Sequence, residues 1–300
     1  MKPSDMAAPP VVPLRRFPGP YPPRITLGQL LAKYWKILRA SLIERMVYRL
    51  DFLLGTVLRF LPMVTTILLW QAIFDGTDRT ELGGFSDRKM IAYLLLVHIS
   101  RMFSSMPGLA ARIAQDIRDG NLKKYLLQPI NMIAYLLVYR VAHKAAYIAM
   151  SALPYALLFF LCQLAGNYFD GWPDPLTMLA YAVSLLLAFL IGFFFEAGIG
   201  MIGFWFLEVT SFLYVVNTMN FFVSGQMFPI TLLPPFWVGL LKSLPFQYLA
   251  YFPAAVFLGK IHGTALVYGL LAEAAWAVVF IFATCALYRL GLRRYSAYGG

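Results

Sequence analysis

The chain has 300 residues, of which 60% are hydrophobic, 16% aromatic and only 13% charged, with a formal net charge of +11. A soluble domain carries about a quarter charged residues, so this apolar excess needs lipid as its solvent. The basic balance is no nucleic-acid footprint, because there is no soluble body to carry a basic face.

Residues 1–24 contain eight prolines (Pro3, Pro9, Pro10, Pro13, Pro18, Pro20, Pro22, Pro23) and no apolar run of the kind found in a cleavable signal. They predict a disordered cytoplasmic tail, with docking of a partner on the proline-rich stretch as the alternative. Residues 25–300 read as one membrane domain. From Ile25 to about Arg49, Leu27, Leu30, Leu31, Tyr34, Trp35, Leu38 and Leu42 recur at helical spacing, with Lys33, Lys36 and Arg39 opposite. That pattern predicts an amphipathic helix lying in the headgroup region.

Six spanning runs follow, at roughly 50–73, 89–108, 141–165, 176–204, 209–228 and 264–288, each near the ~20 residues that cross a bilayer. Lysine and arginine give the orientation. Nine lie in residues 1–49, six between spans two and three with the flank Arg140 and Lys144, and three at the end, whereas the alternate loops hold five. The positive-inside rule then puts both termini in the cytoplasm.

The second cytoplasmic segment, "ARIAQDIRDGNLKKYLLQPIN" (111–131), is longer and more charged than a connection between two spans requires. Ile113 and Ile117 lie four apart, Asp119-Gly120-Asn121 is a helix stop, and a second short helix from Leu122 ends before Pro129. This is a helical elbow offering Ile113, Ile117 and Leu126 as apolar knobs beside Asp116, Arg118, Asp119 and Lys123, and suited to docking on a soluble protein. A solvated loop is the alternative.

Between Gln226 and Gly263, five prolines cut an aromatic segment into runs of about 10 residues, too short to cross. They predict two short re-entrant or interfacial helices on the outer side, near 234–243 and 246–258, folded into a lid that covers Phe236 and Phe252. The fold class is therefore all-α: a polytopic membrane protein with six transmembrane helices, an N-terminal amphipathic interfacial helix and short re-entrant outer helices between spans five and six.

No catalytic set is present: no GxSxG, no HExxH, no clustered Cys and His, and no GxxxxGK[ST] phosphate loop. Cys162 and Cys285 sit in apolar runs as packing thiols. His98, His143 and His262 are scattered and predict no metal site. Ionisable groups at membrane depth are candidates for function. Arg59, His98, Arg101, Glu196, Glu208 and Glu273 qualify, and Glu196 reads either as half of an interhelical pair with Arg59 or as a proton-sensitive group lining a path. Gly192, Gly198, Gly200 and Gly203 predict close helix packing. Asn217 and Asn220 either bond across helices or face a substrate.

Taken together, the interfacial helix, the six spans, the elbow and the broken outer helices resemble a permease of the ATP-binding cassette (ABC) transporters, type-2 exporter class. "IRDGNLKKYLLQPIN" is similar to a stretch of its bacterial uncharacterised and viologen-export-type branch, with Arg118, Gly120, Leu122, Leu126 and Pro129 in matching positions. The resemblance implies a bacterial inner-membrane protein that pairs with a second copy or a related permease and recruits separate cytoplasmic ATPase subunits. ATP and Mg then bind in those partners, and this chain holds no cofactor and no nucleic acid. It also implies that the elbow is the coupling helix and that spans two and five line the path, which points to His98, Arg101, Asn217 and Asn220. An ion-coupled secondary transporter built around Glu196 and a non-transporting scaffold are the rival readings. No repeat relates residues 50–165 to 176–288, as the first of these often shows.

Overall fold

The computed structural model describes residues 27–47, 49–77, 81–128, 130–166, 168, 171–206 and 208–295; the proline-rich tail, Pro129 and the side chains of Arg59 and Cys162 lie outside the described residues. The chain order is α1 (Leu27–Val47), α2 (Arg49–Asp75), a hairpin of β1 (Glu81–Leu82) and β2 (Phe85–Ser86), α3 (Asp87–Ser104), α4 (Leu109–Arg118), α5 (Lys123–Leu126), α6 (Met132–Gly166), α7 (Pro175–Met201), α8 (Thr210–Val223), α9 (Pro235–Ser243), α10 (Tyr251–Phe257) and α11 (Gly263–Arg294). The hairpin departs from the all-α expectation. Gly83 and Gly84 take positive φ (59° and 79°), and two successive left-handed residues make the tight turn that pairs short antiparallel strands.

Four stretches are long and apolar enough to cross a membrane: Asp87–Arg118, Met132–Leu161, Pro175–Phe204 and Gly263–Arg294. The apolar part of α2 among the described residues is Phe60–Asp75. Helix α8 has 14 residues, roughly 21 Å at 1.5 Å per residue, against the 209–228 expected. It stops because the chain turns away at Gly225 (φ 79°), whose carbonyl accepts from the Tyr93 hydroxyl, while Tyr251 N–H donates to Ser224 O at 3.1 Å. Backbone bonds that would continue the helix are given instead to α3 and α10.

Helix α6 starts nine residues before the expected 141, since the Asn131 side chain caps it by accepting from Ala134 N–H at 3.0 Å. Arg140, His143 and Lys144 therefore stand inside a helix of 35 residues and do not flank it.

Helix α7 is the hub, packed by α3, α4, α10 and α11, while α1 lies along α6 and α2 against α3 and α6. Helix α3 is buried on every side from Met90 to Val97, and such an all-round apolar helix belongs in a core. The uncovered leucines, valines and phenylalanines of α2, α6 and α11 are the surfaces left for lipid.

Helix α1 divides its residues differently from the expected two faces. Tyr34, Leu38 and Leu42 turn toward α6 together with Lys33, whose ammonium stands 5.2 Å from the Tyr34 ring centre, while Leu27, Leu31 and Trp35 stay uncovered. Beyond α8, α9 and α10 match the two short helices expected, joined by a 3-10 turn over Pro245–Leu249. The expected cover holds for Phe252, at 3% exposed, and fails for Phe236, at 73%. Phe252 fills the space against Gly269 of α11, whereas α9 turns its aromatic start outward.

Candidate functional site

The elbow is built from α4 and α5. Gly108 (φ 71°) releases the chain from α3, and α4 then carries Leu109, Ala110, Ile113, Ala114 and Ile117 on one stripe and Arg112, Gln115 and Arg118 on the other. The helix closes with a Schellman motif: Asn121 N–H donates to Asp116 O (2.9 Å) and Gly120 N–H to Ile117 O (3.3 Å), with Gly120 left-handed at φ 73°. Asp116 then grips Lys124 of α5 at 2.9 Å. Burial lowers the Lys124 ammonium's pKa, but the bond to Asp116, with Tyr125 beside it, outweighs that and raises it above the ordinary lysine value.

The apolar stripe of α4 is seated on α7 at backbone distance. A Cβ at Gly200 would stand 2.8 Å from Ala110 O, and one at Gly203 would stand 3.1 Å from Ala114 Cα. Ile113 and Ile117 are 1% and 6% exposed, inside a cluster with Leu122, Met132, Phe193, Ala197 and Met201. They are therefore not the outward knobs that their spacing predicts. An apolar i, i+4 pair beside a glycine-lined helix buries itself there, a gain of about 1.5–3 kcal/mol for each side chain. Asp116, with a side chain 13% exposed, is likewise a clasp between the two short helices and not an outer charge. What remains outward is Arg118, Asp119, Lys123 and Leu126. Arg118 lies 3.6 Å from Asp119 and 3.9 Å from Glu208. Pairs this exposed contribute little stability. Glu208, just before α8, is exposed, and its carboxylate accepts from Thr210 N–H at 2.7 Å.

Above the elbow, the end of α3 is held through its carbonyls. Lys144 donates to Met102 O and Ser105 O (2.5 and 2.6 Å), and Arg140 donates to Pro107 O (3.2 Å). Cations at a helix C-terminus satisfy orphan carbonyls and oppose the helix dipole. Arg101 donates to Ser104 Oγ at 3.3 Å, and Ser104 donates in turn to Leu249 O at 2.7 Å. Glu196 of α7 lies within electrostatic reach of this group, through Arg101 and Arg140. Its charged neighbours here are therefore Arg101 and Arg140. The pair proposed from sequence needed Arg59, whose side chain lies outside the described residues. Sequence reading missed the grip by Arg140 and Lys144 because nothing in one dimension relates residue 144 to residues 102–107.

The four candidate path residues have different surroundings. His98 sets its ring 5.9 Å from that of Tyr155 on α6, and Arg101 joins the group at the end of α3. Asn217 is exposed on α8. Asn220, also on α8, is buried and borders an apolar cavity of about 200 Å³ with Phe195, Ile199, Phe212, Met219 and Phe246. The glycines of α7 and of the turn after it serve two neighbours: Gly192 meets α3, Gly200 and Gly203 meet α4, and Gly198 meets Thr284 of α11. Glu273 of α11 is fully buried. Among the described residues, no group of three His, Cys, Asp or Glu is placed to hold a metal.

Residues 60–299 match the sequence model of a family described as ABC-2 family transporter protein. No curated protein matches the chain.

Proposed function

Because the chain belongs to the ABC-2 transporter family, we propose that it is the membrane-spanning permease subunit of an ATP-binding cassette exporter, coupled to a separate ATPase subunit through the elbow. A multi-pass membrane protein of this family typically leaves ATP hydrolysis to its partner. In this reading α2, α3, α6, α7, α8 and α11 are the six spans, both termini and the elbow are cytoplasmic, and the membrane is the bacterial inner membrane. The viologen-export-type branch remains the finer assignment, supported by the elbow motif. Helix α8, whose Tyr214, Val215, Met219 and Phe222 are uncovered, faces a second copy or a related permease across the path. ATP and Mg belong to the partner.

The observation that carries the proposal is the two-sided elbow. A pore opened by ATP must receive force from a protein that stays outside the bilayer. An element suited to that task is fixed rigidly to the spans on one face and free on the other. Here the inner face lies against the backbone of α7, and the outer face offers Arg118, Asp119, Lys123 and Leu126. Charges across an interface set register more than affinity. Ile113 and Ile117 seat the element, Asp116 locks its two helices together, and Gly120 supplies the bend.

The test is charge reversal on the free face. Arg118→Glu with Lys123→Glu in the full-length chain leaves insertion and thermal stability unchanged, and it releases the ATPase in a pull-down or uncouples hydrolysis from transport. Binding and transport at wild-type rates would overturn the coupling role while leaving the family assignment standing.

A further inference from the structure

A second concavity borders the elbow. It is a cleft of about 340 Å³ walled by the end of α1 (Glu44), by the elbow (Arg112, Lys124, Tyr125, Gln128) and by the first turns of α6 (Tyr135, Tyr139). Its volume falls in the range of small-ligand sites, ~300–1,000 Å³, and its lining mixes these polar and charged groups with the apolar Ile130 and Leu136. We propose that this cleft binds the headgroup of a zwitterionic phospholipid, taking the phosphate at Arg112 and the ammonium at Glu44 and the tyrosines.

The charges argue for a zwitterion. Lys124 is already engaged by Asp116, so that pair is close to neutral. Among the described residues Arg112 makes no ion pair, and its guanidinium is the phosphate receptor the cleft has to spare. Planar, multi-donor recognition of phosphate is what arginine does best. Glu44 balances it with one negative charge. The tyrosines form a row, with Tyr125 and Tyr135 ring centres 5.6 Å apart and Tyr135 stacked on Tyr139 at 6.4 Å with a 17° interplanar angle. Aromatic faces attract ammonium groups, and Lys124 already shows it, with its nitrogen 4.9 Å from the Tyr125 ring centre. A purely anionic headgroup would satisfy Arg112 and be repelled by Glu44.

The surroundings argue for a lipid over a free phosphate compound. One wall is α1, whose uncovered Leu27, Leu31 and Trp35 belong in lipid, and Ile43, next to Glu44, is uncovered as well. The other wall is the start of α6, which runs on into the bilayer with Leu153, Leu157 and Phe160 outward. Such a cleft sits at headgroup level, where tyrosines concentrate and basic pockets between helices take phospholipid headgroups. The site asks only that the chain span a membrane, so it stands or falls independently of the ATPase.

The experiment is native mass spectrometry of the purified full-length permease, titrated with phosphatidylethanolamine or phosphatidylglycerol of the same acyl chains. Wild type binds one phosphatidylethanolamine with marked preference. Arg112→Gln loses that binding roughly 10- to 100-fold, the range for a charge-assisted contact. Glu44→Gln reverses the preference toward phosphatidylglycerol, which a merely structural role for Glu44 would not do. Equal binding of the two lipids by wild type, or unchanged selectivity in both variants, overturns the proposal. Displacement of the lipid by soluble phosphoethanolamine or inorganic phosphate at equal concentration overturns the lipid as the source of the ligand.

Discussion

Gly192→Ala isolates the contact on which the packing of α7 against α3 depends. An alanine Cβ at 192 would stand 1.9 Å from Ser104 O and 2.9 Å from Ser104 C, both backbone atoms that no side-chain rotation relieves. Ordinary contact begins near 3.4 Å, so the end of α3 must retreat by roughly 1.5 Å. That retreat strains the Lys144 and Arg140 bonds to the carbonyls of residues 102, 105 and 107. In its favour, alanine gains about 1 kcal/mol of helix propensity over glycine. Overpacking costs about 1–3 kcal/mol where a core can adjust, and the upper end applies when backbone meets backbone. With the loss of one carbonyl bond, a net loss of about 2–3 kcal/mol is expected, or roughly 4–12 °C in melting temperature at ~2–4 °C per kcal/mol. The assay is thermal unfolding of the full-length protein in detergent, read by size-exclusion chromatography. Gly239→Ala is the matched control, because a Cβ there meets nothing within 4 Å and the helix should gain slightly. If both alanines shift the melt equally, or Gly192→Ala leaves it unchanged, the close approach of α7 to α3 is refuted.

Removing the amine in Lys144→Met leaves two half-buried carbonyls unanswered, and a loss of about 1–3 kcal/mol is expected in the same melt; a neutral result would mean water replaces the lysine. Glu196→Gln keeps the size of the side chain and removes only its charge beside Arg101 and Arg140, so under the proposed function insertion and most transport in proteoliposomes are retained; loss of transport by a correctly inserted protein would make Glu196 a working group. In intact cells, a cysteine at Phe252 resists a membrane-impermeant thiol reagent and one at Phe236 reacts, since the first is buried and the second exposed; equal rates would contradict the folding of the α9–α10 segment. The Asp116–Lys124 clasp raises the lysine's pKa, so its contribution is complete below the ordinary lysine value and is lost only as pH rises through the raised one. Hydrogen-exchange protection of α5, corrected for intrinsic rate, therefore stays flat from about pH 6 to 9, and a drop in that window would exclude the clasp.

The long helices and the two short helices after α8 were legible from apolar runs and proline spacing, because burial and backbone satisfaction in lipid leave few choices. The elbow was legible as well, since Gly120 and the 113/117 spacing are local signals. Which way its isoleucines point was not, because an i, i+4 apolar pair reads the same whether it faces a partner or the parent fold; the deciding fact is Gly200 and Gly203, more than eighty residues away. The start of α6 was misplaced by weighing hydropathy over the Asn131 cap. The neighbours of Glu196 are illegible for a related reason: charges between helices find partners by three-dimensional proximity, and in sequence Arg140 reads as the flank of a span.

The grip on the end of α3 has a consequence for which sequences the fold tolerates. Lys144 and Arg140 bind main-chain oxygens at positions 102, 105 and 107, and every amino acid supplies such an oxygen. Substitution in that tract leaves the grip intact provided the helical path survives, whereas neither cation can be exchanged for a residue of different reach or charge. Variation is thereby admitted on the side of the joint that is held and refused on the side that holds it, and a library randomised over both stretches should return many solutions for 102, 105 and 107 and few for 140 and 144.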